Sequence, residues 1–244
     1  MKNILFSVFI LLTSIAVFGQ GNNANPSFTN SLDLQIQSTT ATFSKDLQQI
    51  VFKIQVQGTA GLSKPTAYGQ LNGAPVLGYV FPTTLSPTDV GFNQTSGIVA
   101  LALTSHPDFD DTPLWDENFD NNFENDGLVW HAHWVILENN TAVAGGLSVK
   151  EFVQGDTTVK LPPTNPGMPM YMDSPGYSVV TKTNTIKVIV PAYRINNKTN
   201  FNFDAVAAYM EVNTSNPAYP MLGVYAVYSV ASGNLSLPYT VTIN

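Results

Sequence analysis

The chain has 244 residues, no cysteine and a formal net charge of −7, and charged residues make up only 11% of it. The acidic balance argues against nucleic acid and anionic membranes as partners, because both repel a negative surface. The lack of cysteine excludes thiolate zinc, iron–sulfur clusters, blue copper and cysteine nucleophiles. The length suffices for one large domain with a sizeable core.

The first nineteen residues have the pattern of a signal peptide. Lys2 supplies a positive start, residues 4–18 are mostly apolar, and Val17 and Gly19 are small enough for the −3 and −1 positions of a cleavage site. The apolar run is shorter than the about 20 residues that a membrane span needs. The sequence therefore predicts a signal peptide over residues 1–19 and an exported protein, periplasmic or extracellular, over residues 20–244.

Short runs that alternate polar and apolar residues dominate the mature chain. Residues 32–37 and 49–57, separated by a turn at residues 44–46, predict an antiparallel hairpin. Residues 201–212 fit a helix or a strand equally well, and residues 161–177 predict a long surface connection. Further strands are predicted at residues 75–81, 97–104, 128–137, 141–153, 177–180, 185–190, 219–230 and 238–243. These elements predict an all-β fold, a single-domain antiparallel β-sandwich with long loops.

The segment from His106 to His133 concentrates the chemistry of the chain. It contains all three histidines and eight of the seventeen acidic residues, and it has no Lys or Arg. Carboxylates packed this closely repel one another when no base neutralises them. Neutral imidazole beside carboxylate is the usual protein ligand set for a divalent metal. The segment therefore predicts a metal site, with zinc as the preferred ion.

The spacing of the histidines supports this prediction. Side chains alternate between the faces of a strand, so His131 and His133 share one face of the strand at residues 128–137. His106 follows the strand at residues 97–104 and completes the site if the two strands are neighbours. Asp111 and Glu117 are the predicted carboxylate ligands. Hydrogen-bonded core histidines without a metal are the competing explanation.

Two roles remain open for such a site. Three histidines plus water form an open, catalytic type of zinc site, whereas three histidines plus a carboxylate are closer to a filled one. The protein then either binds and buffers a metal ion or is a metalloenzyme whose reaction the sequence does not indicate, in which Asp111 or Glu117 acts as general base. No motif marks catalytic residues, and the sequence indicates no particular protein or glycan partner.

Calcium is an alternative ion for the same segment. Residues 116–127 alternate oxygen ligands with other residues, as hard cations require. The segment is not an EF-hand, because Asn121 stands at the sixth position and Gly127 at the twelfth. A calcium-braced loop would suit a module that binds carbohydrate or another surface, with aromatic rings stacking on the ligand. The candidate rings are Trp115, Tyr68, Tyr171 and Tyr177.

Copper is a second alternative. Met168, Met170 and Met172 alternate, so their thioethers can share one face, and soft sulfur suits Cu(I). A periplasmic copper-handling protein would combine these methionines with the histidines. The competing explanation is that the methionines fill gaps beneath a long loop.

Three segments carry a resemblance to a known family. They are TSHPDFDDTPLWDEN at residues 104–118, DGLVWHAHW at residues 126–134 and DSPGY at residues 173–177. Together they resemble a family of exported bacterial β-sandwich proteins of unassigned function. The resemblance implies a module that binds a divalent metal, with His106, His131 and His133 as the matching residues. It implies no known reaction.

Overall fold

A computed structural model describes residues 28–111, 116–117, 119–122 and 127–244. This part of the chain contains fourteen strands, three short 3₁₀ turns and no α-helix, so the all-β prediction is confirmed. No helix in it is long and apolar enough to cross a membrane. The predicted signal peptide lies outside the described residues. The strands are β1 (Ile36–Ser44), β2 (Gln49–Val56), β3 (Pro75–Pro82), β4 (Ile98–Ser105), β5 (His131–Asn139), β6 (Leu147–Val149), β7 (Met172–Asp173), β8 (Val179–Lys182), β9 (Thr185–Pro191), β10 (Asn202–Phe203), β11 (Val206–Val212), β12 (Leu222–Val230), β13 (Tyr239–Thr240) and β14 (Thr242–Ile243).

Six of these strands form a closed antiparallel barrel. Their order is β4-β3-β11-β12-β6-β5, and β5 pairs with β4 to complete the ring. Small and branched apolar side chains fill the interior, including Ala100, Ala102, Val135, Ala208 and Val224. Closure removes the sheet edges, and alternate residues of each strand point inward. The fold is therefore not simply a sandwich.

A second sheet covers one side of the barrel. Its order is β14-β1-β2-β9-β8, with β1 and β14 parallel and the other pairs antiparallel. Its inner face packs on the outward residues of the barrel strands in one apolar cluster. The rings of Phe52 in the sheet and Phe81 in the barrel lie 5.2 Å apart. This packing is the sandwich-like part of the fold.

Double burial explains the apolar runs of the barrel strands. Every residue of β3 is buried, as are seven of the eight residues of β4. One face of each strand points into the barrel and the other meets the second sheet. In the sequence, a strand that is buried on both faces has a continuous run of apolar residues. Such a run does not indicate whether the sheet closes into a barrel or stays open.

Several local predictions are confirmed and others need correction. β1 and β2 form the predicted hairpin, but Leu32–Leu34 is a 3₁₀ turn, not part of the strand. The ambiguous segment at residues 201–212 is extended, as β10 and β11. The connection at residues 161–177 does not stay on the surface, since Met170 and Met172 enter the barrel interior.

Trp134 tests the interface between the barrel and the second sheet. Its side chain is fully buried, and its indole N–H donates to the Tyr177 hydroxyl at 3.3 Å. We expect Trp134→Ala to lower the free energy of unfolding by about 3–5 kcal/mol, because it leaves a large cavity. Urea unfolding measures the change. Leu47→Ala, at an exposed turn residue, is the control and should change stability by less than about 0.5 kcal/mol. A Trp134→Ala loss as small as the control's would contradict this packing.

Candidate metal centre

The pairing of β4 with β5 brings the three histidines to one end of the barrel. Thr104 lies opposite His131, and Ala102 lies opposite His133. His106 directly follows the last residue of β4. His131 and His133 point to the barrel side of β5, while the alternate residues, such as Trp134, pack toward the second sheet. The prediction that the two strands are neighbours and that the histidines converge is therefore confirmed.

Asp111 joins the three histidines in a compact group. Its Oδ1 atom lies 3.4 Å from Nε2 of His106, 3.2 Å from Nε2 of His131 and 3.5 Å from Nε2 of His133. The Nε2 atoms of His106 and His131 are 2.9 Å apart. The four donor atoms all lie within 4.8 Å of one another. A ligand set of this composition and spacing can hold a metal ion.

The other ring nitrogen of each histidine is fixed by a partner outside the group. The Nδ1 partners are the carbonyl oxygen of Phe109 at 2.9 Å for His106, the carbonyl oxygen of Val129 at 2.6 Å for His131 and the hydroxyl of Ser174 at 3.0 Å for His133. Metal-binding histidines usually have such a second partner, which sets the tautomer and the orientation of the ring. All three rings are therefore oriented with Nε2 toward the centre of the group.

The tautomers create a conflict that a cation resolves. A carbonyl oxygen only accepts hydrogen bonds, so Nδ1 of His106 and of His131 must carry the proton. In the neutral rings, both Nε2 atoms then present lone pairs to each other across 2.9 Å. The two lone pairs repel unless a proton or a metal ion lies between the rings and Asp111. The arrangement therefore favours bound positive charge.

His133 adds a buried nitrogen without a hydrogen bond. Its Nε2 atom is buried and has no hydrogen-bond partner among the described residues. An unsatisfied buried polar atom costs roughly 1–3 kcal/mol, so native proteins rarely keep one without a reason. The atom faces the Asp111 carboxylate at 3.5 Å, on the side where the other ligand atoms converge. A bound metal ion would satisfy it.

The electrostatics of the group follow from its burial and its mixed charges. Burial would raise the pKa of Asp111, but its contacts with the surrounding imidazoles hold it well below its usual range, which is the effect of positive charge bound within the group. Burial lowers the pKa of His133 to about 3, so this imidazole is neutral and can act as a ligand. Burial also opposes the charge on His131, but its contacts with Asp111 outweigh burial and raise its pKa.

The group is almost closed to solvent. The exposed fraction of the side chain is 2% for His106, 6% for Asp111, 13% for His131 and 1% for His133. A cavity of about 20 Å³ adjoins His106, Asp111 and His133, and it can hold one or two small molecules the size of water. A second cavity of about 50 Å³, in the apolar interior of the barrel, is lined by His133 on one side.

Glu117, the other predicted ligand, is not part of the group. Its carboxylate oxygens accept hydrogen bonds from the backbone N–H groups of Leu128 and Val129, at 3.0 and 2.6 Å. It thereby fixes the chain just before β5. Asp116 has a similar role, since it accepts from the backbone of Asn121 at 2.9 Å. Among the described residues, Asp111 is therefore the one acid of the segment whose carboxylate converges with the three histidines on a point that could hold a metal.

The residues proposed for the alternative ligands have different positions. Tyr171 and Tyr177 are buried in the core, Tyr68 is exposed, and Trp115 lies outside the described residues. The predicted calcium segment also lies partly outside them. Met168 and Met172 line the small cavity beside the histidines, while Met170 is fully buried in the barrel. The methionines therefore fill the barrel interior, and two of them are close neighbours of the metal centre.

Ser174 and Gly127 support the site but were not predicted to do so. Ser174 is 41 residues from His133 in the chain, and no spacing rule connects them. Gly127 accepts a hydrogen bond from the backbone N–H of His106 at 2.7 Å. Its positive φ of 101° marks a conformation that favours glycine. An Asp-Gly turn in the sequence was the available signal, but it did not indicate contact with a histidine.

No protein-family model, curated protein or solved structure matches this chain. The resemblance to exported β-sandwich proteins therefore stays a prediction. The structure agrees with the coarser part of this prediction. The protein is all-β and has a buried group that can hold a metal, made of His106, Asp111, His131 and His133.

Gly127 offers a test of how tightly the site is packed. A Cβ atom at this position would overlap the carbonyl oxygen of His106 and lie 2.8 Å from its Nδ1 atom. We expect Gly127→Ala to lower the free energy of unfolding by at least about 3 kcal/mol, through backbone strain and steric overlap. Gly155→Ala is the matched control, because Gly155 also has positive φ but no atom lies near its Cβ position. The control should cost about 1–2 kcal/mol in urea unfolding. Equal losses in the two variants would contradict the close approach at His106.

Proposed function

We propose that this protein is exported and binds one divalent transition-metal ion, with zinc preferred, through His106, Asp111, His131 and His133. The observation that carries the proposal is the convergence of three Nε2 atoms and one carboxylate oxygen, all within 4.8 Å of one another. The proposed export depends on the sequence pattern of residues 1–19. Its main role would be metal binding or buffering.

The donor set supports a transition metal over a hard cation. Imidazole nitrogen is a borderline ligand that suits zinc, copper, iron and nickel, whereas calcium takes six to eight oxygen atoms. Three of the four converging atoms are nitrogen. Four ligands satisfy the tetrahedral coordination that zinc adopts in structural sites. Met168 and Met172 beside the group keep copper as the principal competitor.

The enclosure of the group supports binding over hydrolysis. A catalytic zinc usually keeps one position for water and needs a path for the substrate. Here a carboxylate supplies a fourth ligand, and the adjoining cavity of about 20 Å³ is far smaller than a pocket for a substrate. Ligand pockets commonly measure about 300–1,000 Å³. A role in metal binding therefore fits these dimensions better than a metalloenzyme does.

Metal analysis of the purified protein tests the proposal directly. After exposure to a mixture of zinc, copper, manganese and calcium, followed by gel filtration, we expect one equivalent of a transition metal in the wild type. His131→Ala/His133→Ala should retain none, because two of the four ligands are lost. Glu117→Gln is the matched control, since this acid lies in the same segment but outside the group, and it should retain the metal. Elemental analysis by mass spectrometry gives the content.

Each other outcome has a defined meaning. Calcium alone, unchanged by the histidine substitutions, would overturn the proposal and move the site to the acidic segment. Metal absent from both proteins would make the histidines structural. Copper in preference to zinc, with weaker binding in Met172→Leu, would keep the site but replace the ion. Glu117→Gln losing the metal as fully as the double variant would contradict the ligand set.

Ser174 provides a finer test, because it orients His133 without joining the group. We expect Ser174→Ala to weaken metal affinity about 10–100-fold, as loss of a partner of a ligating histidine commonly does. Competition with a chromophoric chelator measures the affinity. Ser178→Ala, at an exposed serine four residues away, is the control and should leave the affinity unchanged. An unchanged affinity in Ser174→Ala would show that its hydroxyl does not orient the ligand.

A further inference from the structure

A polar surface groove of about 600 Å³ lies outside the metal centre. Its volume falls within the about 300–1,000 Å³ that is usual for sites that bind small molecules. Residues of the 3₁₀ turns Pro87–Val90 and Ala192–Ile195 line it, together with residues 161–164. None of the four residues of the metal centre lines this groove.

The groove combines an exposed aromatic ring with polar groups. Tyr193 lines it with 72% of the residue exposed, a high value for so large an apolar ring. Arg194, Asn196 and Thr164 line the same groove and offer hydrogen-bond donors and acceptors. A pyranose ring presents an apolar face to an aromatic ring and hydroxyl groups to its sides. The two kinds of surface on a sugar therefore match the exposed aromatic ring and the polar side chains of the groove.

The polar groups around the ring are held in place. Arg194 lies 3.7 Å from the buried Asp173 carboxylate, and its guanidinium stands 5.6 Å from the centre of the Tyr177 ring. Asn196 donates to Asp89 at 3.3 Å, and Asp89 accepts from the backbone of Ser86 at 3.0 Å. A preorganised site loses less entropy when it binds a ligand. The groove is therefore built as a stable surface.

The charges of the groove favour a neutral ligand. Arg194 is paired with Asp173, and Lys198 lies 3.9 Å from the Asp89 carboxylate. Arg194, which lines the groove, thus already has an acidic partner, as does Lys198 outside it, and the chain as a whole has a net charge of −7. An anionic ligand would have to compete with these carboxylates. A neutral, hydroxyl-rich ligand would not.

We propose that this groove binds a neutral saccharide, with a sugar ring stacked on Tyr193 and its hydroxyl groups bonded to Arg194, Asn196 and Thr164. This site differs from the aromatic residues that the sequence suggested for carbohydrate, of which Tyr171 and Tyr177 are buried. It does not depend on the metal ion. The protein would thereby have a second binding function on a separate surface.

The labelled wild-type protein is first applied to an array of neutral and acidic glycans, which tests the proposal. Calorimetry then measures the affinity of the protein for a glycan that the array retains it on. Tyr193→Ala should weaken binding about tenfold or more, the usual effect of losing a well-packed aromatic contact. Tyr193→Phe should preserve it, because the ring remains. Tyr68→Ala removes an exposed tyrosine outside the groove and should have no effect.

Three results would overturn the proposal. They are the absence of any retained neutral glycan, retention of acidic glycans alone, and equal binding by the wild type and Tyr193→Ala. Circular dichroism of each variant checks that it is folded, and the exposure of Tyr193 makes a large loss of stability unexpected. Binding that persists after the metal is removed with a chelator would separate this site from the metal centre. Binding that disappears with the metal would contradict their independence.

Discussion

The pairing of β4 with β5 is the interaction on which the rest of the structure depends. Without it, the six strands would form an open sheet with two unpaired edges, which is an aggregation hazard. With it, the end of β4 lies beside the start of β5, and His106 meets His131 and His133. The hydrogen bonds that close the barrel therefore also assemble the ligand set. The same strand pairing thus produces both the fold and the site. A shift of its register by one residue would turn His131 and His133 to the other face of the sheet.

The second constraint is electrostatic. A carboxylate and three imidazoles are buried together, although burial of an unpaired charge is costly. In the part of the chain that the structure describes, only the histidines form ion pairs with Asp111, and the sequence has no Lys or Arg between residues 65 and 149. Backbone carbonyl groups fix the protons of His106 and His131 on the nitrogen atoms that face away from the centre. A central cation is the simplest species that satisfies the carboxylate, the facing lone pairs and the buried nitrogen of His133.

The sequence allowed much of this arrangement to be predicted, because strand periodicity is a local property. Alternation placed His131 and His133 on one face. His106 follows the apolar run at residues 97–104, so it was expected to complete the site if the two strands are neighbours. Barrel closure was not predictable, because a run buried on both faces reads the same in a barrel and in a sandwich. The choice of Asp111 over Glu117 was also beyond reach. Neither acid belongs to a predicted strand, so periodicity could not show that the Asp111 carboxylate meets the histidines while the Glu117 carboxylate binds backbone N–H groups.

The site also bears on the stability of the fold. Two of its ligands lie on β5, while His106 and Asp111 belong to the segment that leaves β4, so one ion would connect the barrel wall to this long connection. A metal that binds the folded state and not the unfolded chain contributes its binding free energy to folding. The chain has no disulfide, and the candidate site lies at the end of the barrel, beside the last residue pair of β4 and β5. Next to the last residue pair of β4 and β5, and beside the backbone hydrogen bond from His106 to Gly127, the metal would add a further link between the two chain segments.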